Sequence, residues 1–395
     1  MKIGMILDHT FPQDPRVKNE AEALIKNGEQ VYLFCLSFDK GFKKNEMIEG
    51  INVCRYYCSW ITYKFSALVY TFPFYEQIMS KKIKNFIREN QIDILHIHDI
   101  QIASSVFLAN KTFNLEVVLD LHENRPEIMK EYKHVKSLIG QILINPINWK
   151  KAEERFSKES KNVVVVTELA KNELISRTGL KKEKVVVFPN TVSEKFYTDY
   201  IIDKKIINKY SNLFVLLYLG NTSKRRGIDL ILDSIPDIIK QIKNFKFVVV
   251  GSSSYDKTIK EKVKKLGISN FVDLEGWKEE SLFQSYIKSS KIGVSPLDSN
   301  IHHDTTYANK IFQYMSLGCP VLCSDVKAQD ELINKYHFGL SFKSENRGDF
   351  IKKVYLLHRD PVLRERLQKN CSNAILNHLN NSIVSKNLVK IYEKK

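Results

Sequence analysis

The feature that most constrains this chain is an alternation of short, continuous apolar runs with longer stretches that carry helical spacing. The runs are IGMIL (3–7), VYLFCL (31–36), IDILHI (92–97), EVVLDL (116–121), VVVV (163–166) and VVVF (185–188). Further on come FVLLYLG (214–220), FKFVVVG (245–251), KIGVS (291–295) and PVLCS (320–324). A strand with one wet face alternates apolar and polar residues, whereas a strand covered on both faces is apolar throughout. Such runs, separated by helices, predict parallel sheets and an α/β fold. At 395 residues the chain predicts two domains rather than one core. Residues 191–212 are polar and lack strand alternation, so they read as a linker between domains at 1–190 and 213–375. Ile375, Leu379, Ile383, Leu388 and Ile391 are spaced as in a helix, and a helix over about 376–395 is expected to pack back on the first domain.

Composition narrows the partners. With 43% hydrophobic and 27% charged residues the chain is neither disordered nor polytopic. Lys and Arg number 61 against 45 Asp and Glu, a net +16 that points to nucleic acid, an anionic membrane or phosphorylated small molecules. The basic residues are dispersed and no reader motif or stacking platform stands among them, so nucleic acid is not an expected partner. Six cysteines without a Cys-x-x-Cys pair fit a reducing cytosol. The opening MKIGMILDHT has too short an apolar stretch for a signal core, and no run approaches the roughly 20 apolar residues of a spanning helix. The expectation is a cytoplasmic protein, soluble or held at the inner face of the plasma membrane.

Ligands of open α/β sheets sit beyond the carboxyl ends of the strands. Two sheets facing each other would therefore hold the site in the cleft between them. After the first strand, Asp14 and Pro15 form a helix cap and first turn, and Val17, Ala21, Leu24 and Ile25 form a buried stripe. Arg16 either meets an anion or serves in a local salt bridge. His98 closes HIHD (96–99) and is either a buried histidine bonded to backbone or a site residue. His122, beside Glu123 in DLHEN (120–124), can hydrogen-bond a substrate hydroxyl. His96 and His98 share a strand face, but no compact third and fourth ligand is visible, so no metal site is expected.

The second half opens with LYLG, NTSKRRG and IDLIL (217–232). A strand, Gly220, the cations Lys224, Arg225 and Arg226, and a helix from Gly227 make a cradle for an anion such as a diphosphate. Gly251 with Ser252, and Gly276 with Trp277, are further strand-to-loop turns where a ligand can approach backbone. Trp277 either stacks on a base or packs in the core. In 295–325 a polar loop with Thr305 and Thr306 leads to a helix that Gly318 and Pro320 end. On it Asn309 and Gln313 share a face beside Lys310, suited to phosphate and sugar hydroxyls. No Asp-x-Asp pair occurs anywhere in the chain, so cations and a helix terminus would have to neutralise a leaving diphosphate. Nine of the twenty residues in 56–75 are aromatic and KKIKNFIR follows, which suits either an interfacial helix on an anionic membrane or core packing.

In order and spacing FPQDPRVKNEAEAL, ILHIHD, VLDLHEN, VVFPNTVSEKF, YLGNTSKRRGIDLIL, VVVGSSS, VDLEGW and ANKIFQYMSLGCPVLCSD resemble the family-four glycosyltransferases of GT-B architecture, in the bacterial surface-polysaccharide branch. The resemblance implies two Rossmann-like domains facing across a cleft and a nucleotide-diphosphate sugar held mainly by the second. It also implies a glycan or polyprenyl-linked acceptor on the first domain, and retaining hexosyl or related transfer with no cofactor or metal. His122 then matches a histidine that contacts the donor sugar, and Arg226 the cation that holds diphosphate. Lys310 and Gln313 fall in the helix that binds phosphate and ribose. On this reading His122, Arg226 and Lys310 are catalytic. Gly220, Asn221, Lys224, Gly251, Ser252, Trp277, Thr305, Thr306, Asn309 and Gln313 serve the donor, and Arg16, His98 and Glu123 the acceptor. The chain departs from the family where Thr305 and Gln313 replace two glutamates, Asn221 an arginine and Ala308 a proline. The alternative expectations are a nucleotide-sugar epimerase and a catalytically degenerate sugar-nucleotide binding subunit.

Overall fold

The computed structural model describes residues 1–130, 135, 137, 140 and 143–393. The chain forms two compact units, Met1–Pro189 with Val384–Lys395, and Asn190–Ile383. The strands of the first are β1 (Lys2–Leu7), β2 (Gln30–Ser37), β3 (Asn45–Ile48), β4 (Ile51–Tyr57), β5 (Ile94–His98), β6 (Glu116–Leu121), β7 (Asn162–Val165) and β8 (Val185–Val187). They lie in the order β3-β4-β2-β1-β5-β6-β7-β8. All neighbours run parallel except β3 and β4. One sheet face packs under a cluster that includes Phe34, Ile97, Leu119 and Trp149, the other under one that includes Met5, Leu33, Val118 and Phe188. Burial on both faces is what made these strands apolar throughout.

The second unit has β9 (Phe214–Leu219), β10 (Phe245–Val250), β11 (Val272–Gly276), β12 (Ile292–Ser295), β13 (Val321–Ser324) and β14 (Gly339–Phe342). Their order, β11-β10-β9-β12-β13-β14, winds outward in both directions from the β9/β12 pair. The sheet is parallel throughout. Each sheet thus has a switch point, β1/β5 in the first and β9/β12 in the second, where successive crossovers diverge and leave a crevice at the carboxyl ends.

Residues 191–212, expected to be a linker, belong to the second unit instead. Val192, Phe196 and Tyr210 are buried in its core, and Tyr210 donates to Asp273 and Glu275. The polar residues around these three hid the spacing. The expected carboxyl-terminal helix is divided. The helix Pro361–Asn377 stays with the second unit, and a separate helix, Asn381–Val389, follows. Val384, Leu388, Ile391 and Tyr392 pack into the first unit, whereas residues 394–395 lie outside the described residues. The strands β3, β4 and β14 carry no continuous apolar run, which is why periodicity alone passes over them.

Candidate functional site

In the second unit, backbone crowding at the switch point explains the glycines. Gly220 turns the chain at φ +110°, and a Cβ on Gly251 would lie 1.9 Å from the Gly220 carbonyl oxygen. One on Gly227 would lie 1.5 Å from the Pro296 carbonyl oxygen. The loops after β9, β10 and β12 therefore close on one another at contact distances that only hydrogen allows. The Asn221 side chain accepts from the Ser223 N–H at 2.9 Å, and the Tyr218 hydroxyl donates to the Asn221 carbonyl at 2.6 Å. Thr222 bonds Ser253 at 3.0 Å and also Asp256, which fixes this loop to the one after β10. Lys224–Arg226 form a short 3-10 turn ending at Gly227.

Lys310 comes to this loop from the helix Asn309–Ser316. Its ammonium lies 3.4 Å from the centroid of the Tyr218 ring and 3.8 Å from where a Gly220 Cβ would stand. It is 8% exposed and has no carboxylate partner among the described residues. Burial, then the neighbouring Arg226 charge, drives its pKa well below the usual lysine range. The helix start beside it has no side-chain cap, Asn309 is exposed, and Gln313 is half-buried one turn on.

Gly220, Gly251, Arg226 and Lys310 thus lie near one another, with Asn221 and the turn Lys224–Arg226 in the loop after β9 and exposed Ser252 following Gly251. Thr305 departs from expectation. It is 7% exposed and its hydroxyl turns inward to the Ile301 and His302 carbonyls at 3.0 and 3.2 Å. Thr306 likewise bonds the His302 carbonyl at 2.9 Å. A hydroxyl on so short a stem satisfies the preceding turn rather than reaching outward as a glutamate does. Trp277 does not pack in the core, being 71% exposed after Gly276.

Sequence reasoning missed His302 and His303, which are buried beside this cradle. Burial and the nearby arginines push them down to about 3 and about 4, so both are neutral imidazoles at physiological pH. His303 Nδ1 is 2.6 Å from the Asp298 carbonyl oxygen. Asp298 itself is raised to about 6 by burial and by the Glu345 and Asp229 charges.

In the first unit the polar residues at the carboxyl ends of β5 and β6 meet on Asp120. Asp14 caps the helix Pro15–Lys26 as expected, accepting from the Arg16 and Val17 amides. Arg16, read as meeting either a bound anion or a salt-bridge partner, takes the salt bridge and is 1% exposed. Its Nε and Nη2 donate to the two Asp120 oxygens at 2.8 and 2.5 Å, and its Nη1 to the Phe188 carbonyl at 2.8 Å. A buried carboxylate needs a paired cation, and the guanidinium fork supplies it. His98 is buried, but its Nδ1 faces Asp120 Oδ2 at 3.3 Å rather than backbone. His122, with 19% of its side chain exposed, has Nε2 2.8 Å from the same oxygen. Burial alone would lower its pKa, but the Asp120 charge and hydrogen bond outweigh this and raise it to about 9. His122 is therefore an imidazolium, with Nδ1 on the side of Asp14 at 4.0 Å. Glu123 accepts from Arg125 at 3.1 Å.

Asp120, Glu20 and Tyr392 were also missed. The one legible signal was the i, i+4 pairing of Arg16 with Glu20. Glu20, His96, His98 and Asp120 bring four ligand atoms within 4.8 Å of one another. The Arg16 guanidinium, however, lies against both carboxylates, so a cation already answers the charge that a metal ion would need.

A family model described as "Glycosyl transferases group 1" matches residues 199–374, and one described as "Glycosyltransferase Family 4" matches residues 16–196. Among curated proteins, the chain is 20% identical over 298 residues to a phosphatidylinositol N-acetylglucosaminyltransferase component from Arabidopsis thaliana. That match covers 74% of the chain and spans only 61% of the relative's length. It is 23% identical over 356 residues to an alpha-monoglucosyldiacylglycerol synthase from Streptococcus pneumoniae, covering 88% of the chain and 76% of the relative. Among solved structures, Anabaena HepE in complex with UDP-glucose superimposes with a TM-score of 0.73 at 13% identity, covering 99% of both chains.

Proposed function

Because this chain belongs to the family-four glycosyltransferases of GT-B fold, we propose that it moves a sugar, a hexose or a close relative, from a nucleotide diphosphate to a glycan or lipid-linked acceptor in surface-glycan synthesis. The observation that carries this is Lys310, buried without a carboxylate partner among the described residues, under a glycine loop that also brings Arg226 and Lys224. Charge develops on the departing diphosphate, and fixed cations aimed there lower the barrier. Lys310, Arg226 and the uncapped amides of the helix Asn309–Ser316 supply that charge without a divalent metal; for His122, the resemblance of its motif to the family implies contact with the donor sugar. The family resemblance implies transfer with retention of anomeric configuration, and exposed Trp277 offers a face to the base. Gln313 offers the ribose an amide in place of a charged carboxylate, a bond roughly half as strong.

Supporting a membrane-linked acceptor, Trp60, Ile61, Phe65, Phe72, Phe74 and Ile78 are exposed. The Phe65 and Phe72 rings lie 6.2 and 6.4 Å from that of Phe74. Beside Lys64, Lys81 and Lys82, this aromatic face has the chemistry of an interfacial segment on anionic lipid. Among the described residues no helix is long and apolar enough to cross a membrane.

The test is product formation from a panel of nucleotide sugars, narrowed by thermal shift, with glycan and polyprenyl-linked acceptors, with and without chelator. Transfer that survives chelation and keeps the anomeric configuration supports the reading; turnover abolished by chelator removes the metal-free step. Thr305 and Gln313 favour a second reading, a sugar-nucleotide binding protein without catalysis. Tight nucleotide binding with no product from any pair supports that one.

A further inference from the structure

The first sheet has its own crevice, and a buried carboxylate beside it is only half satisfied. The strands β1 and β5 border the switch point and end together, with Leu7 opposite His98, so Asp8 and Asp99 are the first residues beyond them. Asp8 is 7% exposed. Its Oδ1 accepts from the Tyr75 hydroxyl, while its Oδ2 is enclosed and takes no hydrogen bond. Gln101 stands near enough to favour the Asp8 anion, but its own bonds run to Ser66 Oγ at 2.8 Å and from Arg125 at 2.5 Å. Asp99 holds φ +70° and ψ 156°, a conformation that costs residues other than glycine about 1–3 kcal/mol. Its N–H donates to the Asp120 carbonyl and its Oδ1 accepts from the Ile100 N–H, both at 2.8 Å, and these bonds hold it there.

A buried polar atom without a partner is costly and calls for a reason. Among the described residues Glu20 and Glu153 also have open carboxylate oxygens, but both lie within helices against a guanidinium, that of Arg16 or Arg177. Asp8 alone of the three directly follows a strand, where ligands of such sheets sit. Asp120 shows what a structural carboxylate is in this unit: Arg16 grips both its oxygens, and that charge outweighs burial and holds it well below the usual carboxylate range. A carboxylate repels a diphosphate and matches a hydroxyl. We infer that Asp8 binds the sugar acceptor, its Oδ2 taking a hydrogen bond from an acceptor hydroxyl. Burial raises the Asp8 carboxyl to about 7, against the Tyr75 and Gln101 hydrogen bonds and the Arg125 charge, and Asp99 adds to the rise. Tyr63 and Cys58 also face it. A hydroxyl donating to Oδ2 stabilises the anion, so acceptor binding releases a proton and strengthens as the pH rises through that value. The sign is opposite to that expected for diphosphate at Lys310.

Asp8 is assigned an acceptor hydroxyl on the strength of the proposed transferase reading, and the experiment separates the two. In full-length wild-type protein with isotope-labelled aspartate carboxyls, the Asp8 resonance is assigned with Asp8→Asn. It is then titrated alone, with UDP, and with alkyl glycosides of glucose, galactose, mannose and N-acetylglucosamine. The expected result is a proton affinity weakened about tenfold by one of the glycosides and unchanged by UDP. In transfer assays Asp8→Asn, which keeps an oxygen for Tyr75, should raise KM for the glycoside about tenfold and leave KM for the nucleotide sugar as in wild type. The acid limb of kcat/KM should disappear with it. An Asp8 titration that none of these glycosides moves overturns the inference, as does an unchanged glycoside KM in Asp8→Asn. A titration moved by a glycoside, with no product from any nucleotide sugar, keeps the site and removes the transferase reading.

Discussion

The carbonyl oxygen of Pro296 stands 1.5 Å from where a Cβ on Gly227 would be, so the loops after β9 and β12 meet backbone to backbone. This contact seats Arg226, one residue earlier, at the switch point of the second sheet. Gly227 has φ +74°, a conformation that costs other residues about 1–2 kcal/mol even in open space. Gly227→Ala should therefore lower stability in chemical denaturation and weaken nucleotide binding together. An unchanged denaturation midpoint with normal binding removes the contact as a constraint.

Lys310 has a depressed pKa because it is buried and lies near Arg226. A bound diphosphate favours its ammonium, so binding should take up a proton and weaken as the pH rises. Calorimetry with a nucleoside diphosphate in two buffers of different ionisation heat should give different apparent enthalpies. Equal enthalpies count against Lys310 as the group that responds.

Arg226→Ala should reduce kcat/KM at least tenfold, about 1.4 kcal/mol of transition-state stabilisation. Arg226→Lys should restore part of it, since a point charge replaces a fork. Wild-type turnover in the alanine variant removes the phosphate role.

Arg16→Met leaves Asp120 buried with its principal cation gone, which typically costs about 3–5 kcal/mol. The double variant Arg16→Met, Asp120→Asn should be less destabilised than the single, because Asp120 then no longer leaves a buried charge stripped of its counter-ion. Additive losses in urea titrations would show that the pair is not coupled.

Trp60→Glu with Phe74→Glu should abolish sedimentation with vesicles containing anionic lipid, and salt should weaken the wild-type interaction. Wild-type binding indifferent to both lipid charge and these residues assigns the aromatic face another role.

Much of the second unit's candidate site was legible because its signals are local. A glycine ending a strand, three cations in a row and a lysine at a helix start keep their meaning whatever packs around them. Arg16, His98 and Thr305 were less legible, since each can serve a ligand or the interior and spacing does not say which. Arg16 turned inward because Asp120, 104 residues away, brings a buried carboxylate to the same place. Thr305 turned inward because the Ile301 and His302 carbonyls lie within its short reach.

By itself the sequence determined the fold class, the approximate strand set and the glycine turns, because strand burial and backbone conformation follow from residue type and period. Only the tertiary structure decided that residues 191–212 join the second core, that Arg16 is an internal counter-ion, and that Tyr392 meets His96 across 296 positions. Those outcomes depend on which distant groups share one low-dielectric space. There a charge or hydroxyl must find a partner, and the identity of that partner is not written near it in the chain.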